Sequence, residues 1–348
     1  MNILGVKFAP LNVPLERRLQ TLAAATWFVI LSLNGVLGFL IAGYLLLYTQ
    51  TIRYLMLLYL VWMYYDWDTC NRGGRSHRWT GWARNNPYCR LLCDYYPAKL
   101  VKTADLNPNK TYVFVYVPHG ILPTGMMCAF GTDVLGFKDL FPGLEIRSVV
   151  LDQHFMTPFF REYTLAGGCI ASNARSLEYA LSSPPEEPYT GKAVTLIPGG
   201  ASEALESKPG TYRTLIKRRK GFVKLALKNG AALVPVISFG ETNLYNQLHA
   251  PEGSLLRRVQ NWIRKYIGLA PVIISGRGFF QYSFGLIPKR SPITVVVGSS
   301  LELPKMSTPT SEQIDEYHKK FVNLLSTTFE TEKHKYIKDA EKTTLEFL

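Results

Sequence analysis

The chain has 348 residues, 47% of them hydrophobic, and a formal net charge of +13. That length suits one large domain or two small ones, and the apolar content is that of a folded protein. A charge this positive calls for an anionic partner: nucleic acid, acidic lipid or a phosphate-bearing small molecule.

Residues 1–21 form a short N-terminal segment carrying Lys7, Arg17 and Arg18. From Leu22 to Trp67 the chain is nearly all apolar, with Arg53 its only basic residue. Ala23–Tyr48 is long enough to cross a bilayer at about 1.5 Å rise per residue. Tyr54–Tyr65 is short for a full crossing and reads as a re-entrant or interfacial piece, or as the second helix of a hairpin. A cleaved signal peptide needs a shorter apolar core and a small-residue cleavage site, so a retained anchor is preferred. Arg17 and Arg18 precede this region, and Arg72, Arg75, Arg78, Arg84 and Arg90 follow it. Basic residues at both ends place both ends in the cytosol. The expected organisation is therefore a cytosolic segment over 1–21, a membrane hairpin over 22–67 and a cytosolic domain over 68–348.

The remainder alternates strand-like and helix-like stretches. Tyr112–Val117 is an uncharged, aromatic and β-branched run suited to a strand buried on both faces. Ile146–Leu151, Ala193–Ile197, Leu233–Phe239, Val272–Ser275 and Ile293–Val297 read as further strands. Ser172 or Asn173 is placed to cap a helix over Leu177–Leu181. Gly221–Lys228 is helical, and Thr308 with Pro309 reads as a cap and first-turn proline for a helix to about Phe329. Strands alternating with helices indicate an α/β fold: a mostly parallel sheet flanked by helices. Leu255, Leu256, Val259, Trp262, Ile263, Tyr266 and Ile267 fall at helical spacing with arginines and lysines between them, a basic amphipathic helix. It either lies on the cytosolic leaflet or packs as a surface helix with solvated charges.

Nucleic acid is the weakest of the anionic partners, because the aromatics concentrate in the apolar anchor and not among the basic clusters. The five cysteines are scattered, and Cys89 and Cys93 have no second close pair, so no metal site is expected. Their odd number fits a reducing, cytosol-facing environment.

Two places carry chemistry. The first buried strand ends in Val117-Pro118-His119-Gly120, which sets a histidine where ligands bind in open α/β sheets. An imidazole there is able to take a proton from a hydroxyl. The Ala193–Ile197 strand ends likewise in Pro198-Gly199-Gly200, followed by Ser202 and Glu203. Two glycines let main-chain N–H groups converge on an oxyanion or phosphate, and a carboxylate such as Glu203 is suited to orient an imidazole. Ser172 and Ser202 lie in no Gly-x-Ser-x-Gly elbow, which disfavours a serine hydrolase. Lys217-Arg218-Arg219-Lys220, with Lys224 and Lys228, is the densest basic cluster and suits phosphate groups or anionic lipid.

Taken together, the chain resembles the acyl-CoA:diacylglycerol/monoacylglycerol O-acyltransferase family. The resemblance is carried by Phe8-Ala9-Pro10-Leu11, Glu16-Arg17-Arg18-Leu19-Gln20-Thr21-Leu22, Tyr96-Pro97 and Phe141-Pro142-Gly143. It continues through Gly199-Gly200-Ala201, Arg219-Lys220-Gly221-Phe222-Val223-Lys224, Ser238-Phe239-Gly240-Glu241, Gly276-Arg277-Gly278 and Phe284-Gly285-Leu286-Ile287-Pro288. The family motif is His-Pro-His-Gly; here Val117 replaces its first histidine and leaves His119 as the candidate base. The wider glycerolipid acyltransferase superfamily uses His-x-x-x-x-Asp, but the residue five after His119 is Thr124.

The resemblance implies transfer of a fatty acyl group from acyl-CoA, a co-substrate, to diacylglycerol or 2-monoacylglycerol. No tightly bound cofactor is implied. His119 acts as base, Glu203 holds its imidazole, and Gly120, Gly199 and Gly200 support the oxyanion or the loop. Arg218, Arg219, Lys220 and Lys224 meet the coenzyme A phosphates. The implied location is the endoplasmic reticulum membrane with the catalytic domain facing the cytosol, in contact with membrane lipids and lipid droplets, and a homo-oligomer is left open. A long-chain alcohol (wax ester) acyltransferase and a catalytically weak lipid-binding protein stand as alternatives.

Overall fold

The computed structural model describes residues 2–10, 12–248, 250–267 and 271–348. In chain order the elements that matter here are helices α1 (Leu15–Tyr48), α2 (Ile52–Tyr65) and α3 (Pro87–Tyr95), then strands β1 (Lys99–Lys102), β2 (Thr111–Val117) and β3 (Leu144–Val150). Helix α4 (Phe160–Ala166), strand β4 (Cys169–Ala171), helix α5 (Ala174–Ser182) and strand β5 (Gly191–Leu196) follow. Then come α6 (Gly221–Asn229), β6 (Ala232–Phe239), α7 (Leu255–Ile267), β7 (Thr294–Val297) and α8 (Ser311–Tyr336).

The seven strands form one sheet in the order β1-β7-β6-β2-β5-β3-β4. β6, β2, β5, β3 and β4 run parallel, while β7 lies antiparallel to β6 and parallel to β1. The carboxyl ends of five neighbouring strands therefore open on one edge, where ligands bind in such sheets. Alternation along β2 sends its side chains to two cores. Tyr112, Phe114 and Tyr116 pack with Trp27, Phe28, Leu92 and Phe130 on one face. Val113, Val115 and Val117 pack with Phe222, Val223, Phe321, Leu325 and Phe329 of α6 and α8 on the other.

The expected strands at 112–117, 146–151, 193–197, 233–239 and 293–297 are all present. Two expectations change. Of Val272–Ser275 only Ile274–Ser275 is a strand, and it pairs with Asn246–Gln247 in a separate two-stranded ribbon. Gly276 ends it, because the Ile287 carbonyl lies where a Cβ would stand. The last helix is capped by Thr310, not Thr308. Thr310 Oγ1 accepts the Gln313 N–H, and the Gln313 side chain accepts the Thr310 N–H, a reciprocal pair that Thr308 has no glutamine to complete. With no glycine or proline to stop it, this helix continues past Phe329 to Tyr336. β1 and β4 are additional strands, an edge strand bounded by lysines and a three-residue strand.

α1 begins at Leu15, not Leu22, and spans about 51 Å at 1.5 Å per residue. Its first half is docked: Gln20, Thr21, Ala23, Ala24, Trp27 and Phe28 are buried against the α/β body. Further along, Gly38 lies against the Pro158 main chain and the Thr157 methyl, and a Cβ there would stand 2.6 Å from the Pro158 carbonyl oxygen. Val36, Phe39, Leu40, Tyr44 and Leu47 of α1 are exposed, as are Leu55, Leu58, Trp62 and Tyr65 of α2. Among the described residues α1 is the one helix long and apolar enough to cross a membrane. α2, at 14 residues, reaches about 21 Å and is shorter than a hydrocarbon core of about 30 Å. Its Tyr59 hydroxyl accepts the Phe159 N–H at 2.8 Å and its ring stacks on Phe159, so both helices meet the 157–159 segment. Asp66, just past α2, is held by Arg75 and the fully buried Arg161.

Candidate active site

β2 delivers His119 to the open edge of the sheet. Gly120 next to it takes φ +67°, and a side chain there would collide with Glu241, its Cβ standing 2.7 Å from Cγ. His119 Nδ1 lies 3.1 Å from the Gly120 carbonyl oxygen. A carbonyl only accepts, so Nδ1 carries the proton and Nε2 keeps the lone pair. Desolvation holds the imidazole pKa below its ordinary value, which keeps the ring neutral and basic near neutral pH.

Glu203 does reach His119, through the main chain and not through the ring as expected. Its Oε2 accepts the His119 N–H at 3.1 Å. Its Oε1 accepts the Thr214 hydroxyl at 2.7 Å and the Leu215 N–H at 2.9 Å. Burial raises the carboxyl pKa, while these donors and the positive charge of Arg219 work against that rise. The carboxylate folds back over Gly199 so closely that a Cβ there would stand 2.0 Å from its Oε1. That close approach is why glycine precedes Gly200. The Gly200 N–H is spent on the Ile197 carbonyl at 3.1 Å, which corrects its expected role as an oxyanion donor. The Gly199 and Gly120 N–H groups have no hydrogen-bond acceptor among the described residues.

A second buried carboxylate orders the same loop and was not singled out in the sequence. Glu241 follows β6 in the run Ser238-Phe239-Gly240-Glu241. Its Oε2 accepts from the Tyr116 hydroxyl at 2.6 Å, the Ser238 hydroxyl at 2.8 Å and the Gly125 N–H at 2.9 Å. Its Oε1 accepts the Thr124 N–H at 2.8 Å. Burial pushes its pKa up to about 7 against those donors. Thr124, in the place of the superfamily aspartate, also accepts the indole N–H of Trp27 at 3.1 Å. The loop after His119 is thus tied to α1 on one side and to β6 on the other. A strand end followed by Gly-Glu is the signal that marks Glu241, parallel to the Gly-Gly-Ala-Ser-Glu run that marks Glu203.

His119 lines a cavity of about 1080 Å³ at the strand ends. Its walls are mainly apolar and come from α1 (Trp27, Phe28, Leu31), the loop after β2 (Leu122, Met126) and the 271–274 segment. His154 lines it as well, its ring 4.9 Å from that of Phe160, and burial lowers its pKa to about 4. Val117, in the place of the first motif histidine, is fully buried in the α6–α8 core and does not line the cavity. Ser172 is bound to Asp152, its N–H at 2.9 Å and its hydroxyl at 3.2 Å.

The basic cluster divides. Arg219 lines this cavity and, with Arg218, a neighbouring polar one. Lys220 instead pairs with Asp315 of α8 at 2.5 Å, and Lys224 points to solvent from α6. Neither lysine lines either of these two cavities, so the structure does not bring them together with Arg218 and Arg219 there.

The sequence model of the diacylglycerol acyltransferase family matches residues 44–347. The chain belongs to the diacylglycerol acyltransferase family. It is 43% identical over 331 residues to a 2-acylglycerol O-acyltransferase 1 of Bos taurus, covering 95% of this chain and 96% of that protein. It is 44% identical over 280 residues to a diacylglycerol O-acyltransferase 2 of Danio rerio, covering 80% and 76%. A crystal structure of a 1-acyl-sn-glycerophosphate acyltransferase from Thermotoga maritima superposes with a TM-score of 0.34 and 11% identity, over 77% of this chain and 94% of that one. In this family member, then, one histidine of the motif stands at the cavity and the other position is core.

Proposed function

We propose that this acyltransferase moves a fatty acyl group from acyl-CoA to a hydroxyl of 2-monoacylglycerol or diacylglycerol, with His119 as general base. The observation that carries this reading is a desolvated histidine with Nδ1 committed to a carbonyl, lining an apolar cavity walled partly by α1.

As the acceptor oxygen attacks the thioester carbonyl, Nε2 of His119 takes its proton. Main-chain N–H groups of Gly199 and Gly120 support the oxyanion, an effect worth about 3 kcal/mol per donor. Collapse breaks the C–S bond and expels the thiolate, which leaves readily because a thiol pKa is about 8.5. The imidazolium then returns its proton to the thiolate, so the ester and free coenzyme A leave with the base restored. Glu203 serves by fixing the His119 main chain rather than by offsetting charge on the ring.

α1 fits membrane association, and its packing along the cavity wall suits an acceptor arriving from the bilayer. The neighbouring polar cavity that Arg218 and Arg219 line suits a donor arriving from water. We place the protein in the endoplasmic reticulum membrane with the α/β body in the cytosol, reached by lipid droplets at the same surface.

The test is acyl transfer by microsomes supplied with labelled oleoyl-CoA and, separately, 2-oleoylglycerol, dioleoylglycerol or hexadecanol. Transfer to the glycerides is expected, and His119→Ala lowers it by about 10²–10⁴-fold. Full transfer by a correctly inserted His119→Ala protein overturns the mechanism; transfer to hexadecanol alone overturns the acceptor class.

A further inference from the structure

Beside the apolar cavity lies a polar one of about 720 Å³. Arg218 and Arg219 reach it from the loop before α6, and Arg257 and Arg264 from α7. These four arginines face two glutamates, Glu206 and Glu252. Arg257 is ion-paired to Glu206. Among the described residues Arg218, Arg219 and Arg264 form no ion pair. Arg257 and Arg264 stand seven residues apart, two turns, and so share one face of α7. Its opposite face exposes Leu255, Val259, Trp262 and Tyr266, while Ile263 lines the apolar cavity. Arg219 lines both cavities.

We propose that this cavity receives the phosphate groups of coenzyme A, with Arg264, Arg218 and Arg219 as the free cations and Arg257, held by Glu206, shaping the wall. The inference rests on the acyl-CoA reading and assigns its phosphate-binding set. Guanidinium groups grip phosphate oxygens in pairs, which ammonium groups do not. A donor bound there passes Arg219 on its way to the cavity that His119 lines, with its acyl chain among apolar walls and its charged end among arginines. Anionic lipid headgroups offer the same phosphate chemistry, and the exposed apolar face of α7 makes that source the one to discriminate against.

The experiment compares oleoyl-CoA with oleoyl-3′-dephospho-CoA as donors for wild type, Arg264→Ala, Arg218→Ala and Arg258→Ala. Arg258 is exposed on α7 and lines neither cavity, so it controls for lost charge. Wild type is expected to show a KM for oleoyl-CoA several-fold lower than for the dephospho donor. Arg264→Ala or Arg218→Ala raises the oleoyl-CoA KM about tenfold, as loss of one charge-assisted contact implies, and narrows the gap between donors, while Arg258→Ala does neither. Transfer in proteoliposomes of phosphatidylcholine with or without phosphatidylserine is the second arm. Stimulation by phosphatidylserine that Arg264→Ala loses with the donor KM unchanged overturns the assignment in favour of lipid headgroups. Transfer with unchanged KM in both Arg264→Ala and Arg218→Ala overturns the assignment alone. Absence of transfer from either donor by wild type overturns the acyl-CoA reading and the assignment with it.

Discussion

Glu203 Oε2 accepts the main-chain N–H of His119 at 3.1 Å, so the carboxylate braces the backbone at His119 and not its ring. The two roles differ in what they predict. A carboxylate against the ring would raise the imidazole pKa, and its removal would move the acid limb of the rate profile. A main-chain brace leaves that limb in place. Glu203→Gln sets an amide NH₂ against one of three donors, so stability falls by about 1–3 kcal/mol and kcat falls with it. Thermal unfolding and a kcat/KM profile against pH check this: the plateau drops and the midpoint stays.

The midpoint itself follows from His119. Desolvation lowers its pKa, so kcat/KM is flat above neutrality and falls with acid at a midpoint below the ordinary histidine value of 6.5. A midpoint above 6.5 would contradict the desolvation of the ring.

Stability responds to acid through several buried groups of opposite sign. His154 is lowered to about 4, so between 6.5 and 4 the unfolded chain binds the proton first and the fold loses stability as pH falls. Glu241, raised to about 7, works the other way, its contribution weakening as pH rises from 4.5 toward 7. The difference between wild type and His154→Leu isolates the first effect. Wild type minus variant stability is expected to shrink steadily as pH is lowered from 7 to 4.5, read from melting temperatures.

Glu241→Gln tests the other brace. The carboxylate takes four donors, two of them main-chain N–H groups of the loop after His119. An amide is unable to accept at both positions, so at least one buried donor is orphaned at about 1–3 kcal/mol. Activity is expected to fall about tenfold or more without any residue at the chemistry being changed. Trp27→Phe, which removes the indole donor to Thr124 and also shortens a buried core side chain, is expected to cost about 1–3 kcal/mol.

Most of this architecture is legible in the sequence because its signals are local. The buried strands ending in Pro-His-Gly and Pro-Gly-Gly announce themselves by composition, and β2 and β5 lie side by side with both turns at one edge. What sequence does not carry is the direction of a side chain after a turn. Glu203 and His119 are 84 positions apart, and nothing local says that the carboxylate would meet a main-chain N–H. Glu241 is silent for a related reason: its partners come from 116, 124, 125 and 238, gathered only once β2 and β6 pair. The basic run misleads at Lys220 and Lys224, which stand four apart at the helix start and so share a face, turned to Asp315 of α8 and to solvent. Arg218 and Arg219 of that run do line the polar cavity, and the arginines that join them there, Arg257 and Arg264, come from α7, which reads from sequence as an amphipathic surface helix.

Val117 is the sharpest case, because the family motif places a histidine there. Its side chain is fully buried and belongs to the α6–α8 core with Val113 and Val115, on the sheet face opposite Tyr112, Phe114 and Tyr116. An imidazole introduced by Val117→His enters an apolar cluster against Ile237 of β6 and does not reach the cavity. Burying its polar nitrogens without partners costs about 1–3 kcal/mol, and protonation in acid adds to that cost. The expected outcome is a lower melting temperature that falls further below pH 6, with kcat per folded molecule changed less than twofold. A large gain in kcat would show that the imidazole at 117 turns toward the substrate, and would move the second histidine of the motif back into the chemistry.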